Sequence, residues 1–150
     1  MKAAPETAKR EGTADQTVTR GRCLCGTVTY VVRGKLRERL SVCHCHMCRR
    51  HHGGPGIYTS APKPAVEIDG GGALRWYESS PGIKRGFCAA CGSSLFWTGD
   101  DYPQMDIAPG TLDSAAGLAL SHHIFVAHKG DYYDLADGLP QYPDNAPADN

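Results

Sequence analysis

Cys23-Leu24-Cys25-Gly26-Thr27-Val28-Thr29-Tyr30-Val31-Val32 ties two closely spaced thiols to a run of β-branched and aromatic residues. Alternation along Thr27 to Val32 puts Val28, Tyr30 and Val32 on one face of a strand, a role such residues fill well. The same reading extends to Ala65–Ile68, Ala73–Tyr77, Ile83–Phe87, Ser94–Trp97, Gln104–Ile107 and His123–Ala127. Between these runs lie Gly70-Gly71-Gly72, Pro81-Gly82, Thr98-Gly99-Asp100 and Pro109-Gly110, all turn-forming sequences. Helical periodicity is scarce; Cys45 to His51 and Leu112 to Ala116 each predict a turn or two of helix. The expected fold class is all-β with at most short helices, and the 18 glycines and 10 prolines suit tight corners.

At 150 residues the chain reads as one domain with a real core. Residues 17–140 carry it, between an N-terminal tail (1–16) and a C-terminal tail (141–150), both with little to bury. Lysine plus arginine equals aspartate plus glutamate at 16 each, and no basic run is interleaved with aromatics. Nucleic acid is therefore not an expected partner. No apolar stretch approaches the roughly 20 residues of a membrane helix, and the N-terminus lacks the apolar core of a secretory signal. The expected location is the cytoplasm, where thiols stay reduced. The oligomeric state is not legible.

Seven cysteines stand in three clusters: Cys23-x-Cys25, Cys43-x-Cys45-x-x-Cys48 and Cys88-x-x-Cys91. An odd number cannot all pair within one chain, so metal ligation is the expected use. Cys88-Ala-Ala-Cys91-Gly92 sits between two strand-like runs and reads as a hairpin tip that presents both sulfurs to one metal. In an extended Cys23-Leu24-Cys25 both thiolates face the same way and Leu24 points into the core. With Cys88 and Cys91 this pair makes a closed four-sulfur zinc site. Cys43, Cys45 and Cys48 then make a second site with three protein ligands and room for a fourth. The alternative is a closed second site completed by one of His44, His46, His51 and His52. The first two lie between thiolates and would point away, which leaves His51 or His52.

Arg49-Arg50-His51-His52-Gly53-Gly54-Pro55-Gly56 reads as a cationic, glycine-rich loop beside the three-cysteine cluster. Arg49 and Arg50 are candidates for binding carboxylates, which arginine holds bidentately. His51, His52, His122 or His123 could move a proton, because histidine titrates near neutral pH. Lys84, Arg85 and His128 read as surface residues. Trp76, Tyr77, Phe96 and Trp97 read as core, and Tyr58 as a packing residue within reach of the site.

Gly21-Arg-Cys-Leu-Cys-Gly26, Cys43-His-Cys-His-Met-Cys-Arg49 and Phe87-Cys-Ala-Ala-Cys-Gly92 together resemble the glutathione-dependent formaldehyde-activating enzyme family, which includes the catalytic module of centromere protein V. The resemblance runs from about Arg20 to Leu139, with His123-Ile-Phe-Val126 and Asp137-Gly-Leu-Pro140 similar to the closing segment. It implies a β-tent of two antiparallel sheets, a structural zinc at Cys23, Cys25, Cys88 and Cys91, and a catalytic zinc at Cys43, Cys45 and Cys48. It also implies a carbon–sulfur lyase that joins glutathione to formaldehyde. Two positions depart from the pattern: a serine is common where His46 stands, and a tryptophan near Tyr132-Tyr133. Two further expectations stand beside this one, the same chemistry on another thiol or electrophile, and a two-zinc module that binds a protein partner.

Overall fold

In chain order the strands are β1 (Val18–Arg22), β2 (Thr29–Arg33), β3 (Arg39–Cys43), β4 (Gly56–Pro62), β5 (Val66–Asp69), β6 (Leu74–Ser80), β7 (Ile83–Cys88), β8 (Ser94–Gly99), β9 (Gln104–Ile107) and β10 (Ala119–Ile124). Among the described residues one α-helix, α1 (His46–His52), follows β3, and single 3-10 turns lie at Lys63–Ala65, Pro109–Thr111 and Val126–His128. The computed structural model describes residues 15–114 and 116–148. Of the stretch read as an N-terminal tail only Asp15 and Gln16 fall among them, and of the C-terminal tail Asn150 and Asp149 do not.

The strands form a three-stranded sheet, β1-β2-β5, and a seven-stranded sheet, β10-β3-β4-β9-β8-β7-β6. Alternation on β2 does what its sequence dictates: Val32 is fully buried and Tyr30 2 % exposed, with Val28 buried just before the strand. These side chains meet Leu95, Phe96 and Ile107 of the larger sheet, so the main core lies between the two layers. The Tyr30 hydroxyl, carried inward, is bonded to Thr111 Oγ1 at 2.7 Å rather than left unpaired.

Every strand pair is antiparallel except β10–β3, which is parallel and carries a register shift between Leu120 and His122. This departs from the expected pair of purely antiparallel sheets. The reason is topological: α1 and strands β4 to β9 intervene, a connection long enough to bring β10 in beside β3 in the same direction. Leu112–Ala116 is not helical among its described residues. Leu112 bridges to Gly21 and packs on the main core, and the Asp113 amide bonds to the Arg20 carbonyl, so β1 takes the backbone groups a helix would have used. Strands β1, β3 and β4 lay outside the expected runs. Residues Gln141 to Asp144 run along the end of β10 and the turn after it, through backbone bonds that include Tyr142 N to the His123 carbonyl (2.9 Å) and Phe125 N to the Asp144 carbonyl (2.8 Å).

The large sheet uses its two faces differently. Register pairs Gly86 with Trp76 on one side and Phe96 on the other, and Ile107 with Phe96; this row faces the core. The next row, Tyr77–Arg85–Trp97–Asp106–Ser60, faces the opposite way. Trp76 and Tyr77 are 40 % and 62 % exposed, so they are not core residues as expected. They sit on β6, the edge strand of the larger sheet. Trp76 still stacks on Phe96 at 6.0 Å between ring centres, across Gly86. A Cβ at Gly86 would lie 2.9 Å from the indole and 3.0 Å from the Phe96 ring. Gly86→Val is therefore expected to destabilise the fold by about 1–3 kcal/mol through overpacking. Urea unfolding followed by tryptophan fluorescence checks this, and an unchanged midpoint would contradict the packing described.

Candidate metal centres

Two groups of sulfurs converge among the described residues. Cys23, Cys25, Cys88 and Cys91 have their Sγ atoms within 4.8 Å of one another, and so do Cys43, Cys45 and Cys48. None of the seven is in a disulfide.

The four-sulfur group is built from two turns. Cys88 ends β7, Gly92 follows at φ +79°, and β8 begins at Ser94, so this pair sits on the hairpin tip that the sequence predicted. The other pair sits in the turn between β1 and β2, where the Gly26 amide bonds back to the Cys23 carbonyl (3.1 Å). The segment is a turn and not extended, and Leu24 is 86 % exposed rather than pointing into the core. Leu24 instead contributes its amide, which donates to Ser93 Oγ at 2.9 Å and ties one turn to the other. Sulfur separations of 3.5 Å (Cys23–Cys25) and 3.9 Å (Cys25–Cys88) bracket the edge of about 3.8 Å that a tetrahedron around zinc requires at Zn–S of about 2.3 Å. The donor set fits that ion.

The three-sulfur group is local. Cys43 ends β3, Cys45 caps α1 by accepting from the Cys48 amide at 3.4 Å, and Cys48 lies in the first turn. Arg49 to His52 form the last turn of α1 and not a loop; the irregular stretch is only Gly53 to Pro55. A Cβ at Gly56 would meet the His52 and Tyr58 rings at 3.0 Å, so the close approach that glycine permits here serves those side chains. Cys43, Cys48 and Tyr58 are buried together, with Trp97, Ile124 and Phe125 packed against them. The site thus lies over the second face of the large sheet, opposite the main core.

No histidine nitrogen joins the three sulfurs among the described residues. His44, between Cys43 and Cys45, is fully buried and turned away into a hydrogen-bonded chain. Asp137, whose carboxyl is held below its usual range by the Leu139 amide and then by His123, accepts from His123 Nε2 at 2.9 Å. His123 Nδ1 then accepts from His44 Nε2 at 2.9 Å, which leaves His44 Nδ1 to accept from the Tyr133 hydroxyl. In this arrangement every donor in the chain is used once. His46 also turns away; it is exposed and stacks on His128 at 4.7 Å, so His128 is part of this surface rather than plain solvent-facing residue. His52 Nε2 accepts from the Tyr58 hydroxyl at 2.5 Å. Burial, then His51 and Arg85, holds His52 down to about 4, and burial pushes the Tyr58 phenol well up. His51 Nε2 is buried without a hydrogen-bond partner.

Arg49 Nη1 donates to the His128 carbonyl at 2.7 Å, while its buried Nε has no partner. Arg50 is exposed, and His46, Arg49, Arg50 and Tyr132 line a cavity of about 170 Å³. His46 and Tyr132 therefore meet in one place, while Tyr133 is turned to His44. Lys84 is a surface residue paired with Asp100 at 3.2 Å. Arg85, expected at the surface, is 3 % exposed; its Nη1 lies 3.7 Å from Cys48 Sγ and its Nε 3.1 Å from Ser79 Oγ. Sequence order hid this, because strand register alone puts Arg85 beside Trp97 on the site's face. His122 lies at β10, bonded with Ser121 Oγ at 2.7 Å, and lines a separate cavity with Pro140 and Tyr142.

The family model for glutathione-dependent formaldehyde-activating enzyme matches residues 18–128. The chain belongs to that family. The match ends before Asp137, so the segment from Lys129 onward that buttresses His44 lies beyond it. A crystal structure of a Rhodobacter sphaeroides protein is similar in fold, with a TM-score of 0.52 and 23 % identity over 64 % of this chain and 89 % of that one. No curated protein matches the chain. Family and geometry agree that two cysteine clusters can hold metal ions in a mostly β, two-sheet fold.

The clusters predict different consequences of mutation. Cys88→Ser, which breaks the link between sheets, is expected to lower the melting temperature sharply and remove one metal, whereas Cys45→Ser removes one metal and leaves the fold largely stable. Metal analysis with calorimetry checks this; equal thermal losses would contradict the division. Two groups near the site titrate with opposite sign. Between pH 6.5 and about 4, His52 is protonated unfolded but not folded, so its contribution to stability falls on acidification. Asp106, pushed up to about 6 by burial, is protonated folded but not unfolded between 3.8 and 6, so its contribution rises on acidification. Asp106→Asn is expected to lose stability more steeply than wild type from pH 6.5 to 4.5 in urea unfolding at equal metal load.

Proposed function

We propose that this chain joins a thiol, glutathione or a close analogue, to formaldehyde or another small aldehyde beside Cys43, Cys45 and Cys48. One observation carries the reading: the two sulfur clusters are unequal, four donors that close a tetrahedral site and three that do not. Zinc suits both donor sets, and at the three-sulfur site it would supply activation of a bound thiol as thiolate. At Cys23, Cys25, Cys88 and Cys91 its role would be structural. Seven free thiols fit a reducing compartment, and the proposal places the protein in the cytoplasm.

The chain's own groups bind and move protons. Arg49 and Arg50 take a carboxylate of the thiol substrate in the cavity walled by His46 and Tyr132. Arg49 is suited to this because the His128 carbonyl already fixes its guanidinium, which lowers the entropy lost on binding. His51 serves as the proton carrier. Its Nε2 has no internal partner, and burial followed by Arg85 holds the imidazole below its usual range, so it is a free base at neutral pH. His51 Nε2 takes the thiol proton as the thiolate forms; the sulfur electron pair then adds to the carbonyl carbon as the π pair moves onto oxygen, and His51 returns the proton to that oxygen. The hydroxymethyl thioether contains every atom of both reactants, and nothing is oxidised or reduced. His52, occupied by Tyr58, positions the wall of the site and does not carry the proton.

The test is exchange spectroscopy on glutathione with ¹³C-formaldehyde and zinc-loaded protein. Adduct formation above the spontaneous rate is expected, lost with Cys45→Ser and reduced about 100-fold by His51→Ala. Fully zinc-loaded protein that leaves the spontaneous rate unchanged removes this substrate pair.

A further inference from the structure

We infer that Arg85 is the fixed counter-ion of the three-cysteine site, and that its charge makes the site prefer an anionic to a neutral fourth ligand. The inference rests on the reading that this site takes a metal and a thiol. Arginine does not lose its proton in proteins, and a buried charge without a partner is costly. Arg85 is 3 % exposed and forms no ion pair with a carboxylate among the described residues. Its contacts are the neutral Ser79 hydroxyl and the Cys48 sulfur. The negative charge that balances this guanidinium is therefore the cysteine cluster itself.

A charge count shows what the arginine changes. Three thiolates and a divalent ion sum to −1, and Arg85 brings the buried unit to zero. A neutral fourth ligand leaves it at zero, and a thiolate takes it to −1. Without Arg85 the same thiolate would take it to −2 in a pocket closed by Trp97, Tyr58 and Phe125. Repulsion of that kind is large where water is excluded. Among the described residues no other arginine side chain is hydrogen-bonded to a cluster sulfur; Arg49 and Arg50 line the cavity with His46 and Tyr132. Burial holds His51 and His52 neutral as well. Arg85 is thus a positioning residue that acts through Cys48 and the metal, not by touching the aldehyde.

Cobalt-loaded wild type, Arg85→Met and Arg85→Lys are titrated with glutathione and, separately, with imidazole, following the cobalt d–d and sulfur-to-cobalt charge-transfer bands. The filled four-sulfur site contributes a constant background. Arg85→Met is expected to weaken glutathione about tenfold or more while imidazole changes by less than about twofold, and Arg85→Lys to restore most of the loss. Folded, fully loaded Arg85→Met that binds glutathione within about twofold of wild type would overturn the inference. So would equal weakening of both ligands, the mark of a merely structural residue. If Arg85→Met does not fold or hold metal, Arg85→Lys decides, and loss of its preference for glutathione over imidazole overturns the inference. Wild type that binds imidazole but no thiol sinks the proposed function and the inference resting on it, an outcome distinguishable from failure of the inference alone because it appears before any mutation is made.

Discussion

Four sulfurs drawn from two turns meet where the ends of the two sheets come together. Cys23 and Cys25 close the β1–β2 end of the small sheet, and Cys88 and Cys91 close the β7–β8 end of the large one. The small sheet alone offers one apolar face, with Val28, Tyr30 and Val32, and three strands of this length are marginal by themselves. Joining the turns makes burial of Phe96, Leu95 and Ile107 against that face a local matter rather than the closure of a long loop. The Leu24 amide on Ser93 Oγ repeats the link without sulfur, so the two turns already meet where a metal would bind.

Once one face of the large sheet is committed to that core, the other is free for chemistry. Strand alternation then decides what the site contains. Arg85, Trp97, Asp106 and Ser60 share one cross-strand row, and Tyr58 lies on the same face two residues before Ser60. A seven-residue helix suffices to cap this face, because Cys45 caps it and Cys48 in its first turn faces the sheet. The parallel strand β10 completes the arrangement by bringing His123 against His44, and Asp137 and Tyr133 fix the ends of that chain. Cys43 and Cys45 are therefore separated by a residue anchored at both ring nitrogens, and the backbone between them has little freedom to carry its sulfurs apart.

Much of this was legible in the sequence. Period-two patterning found β2 and β5 to β9, and the cysteine spacing separated four donors from three. The Cys88–Gly92 turn followed from chemistry that depends only on near neighbours. The failures have a common cause. Alternation alone predicts an extended Cys23-x-Cys25, but Gly26 at φ +79° and the Gly26 amide on the Cys23 carbonyl turn the segment and expose Leu24. Arg85 looked like surface because a charged residue in a strand usually is, and only the pairing of β7 with β8 and the docking of α1 make it a partner of Cys48. His123 could be named as a candidate but not paired, since its neighbour His44 arrives through the parallel contact that no local pattern encodes.

Arg85, the one buried arginine among the described residues, lies at the cluster that meets solvent less. The four-sulfur group would carry the larger negative charge with a divalent ion, yet Cys25 is exposed and Cys91 half-buried, so water can screen it. Backbone supplies part of the remainder, as with the Val28 amide on Cys23 Sγ at 3.3 Å. The three-sulfur group carries less charge, but Cys43 and Cys48 are buried against Tyr58 and Trp97, where water cannot help. Strand β7 reaches both clusters: Cys88 at its end belongs to the four-sulfur group, and Arg85 three residues earlier lies beside Cys48 of the three-sulfur group.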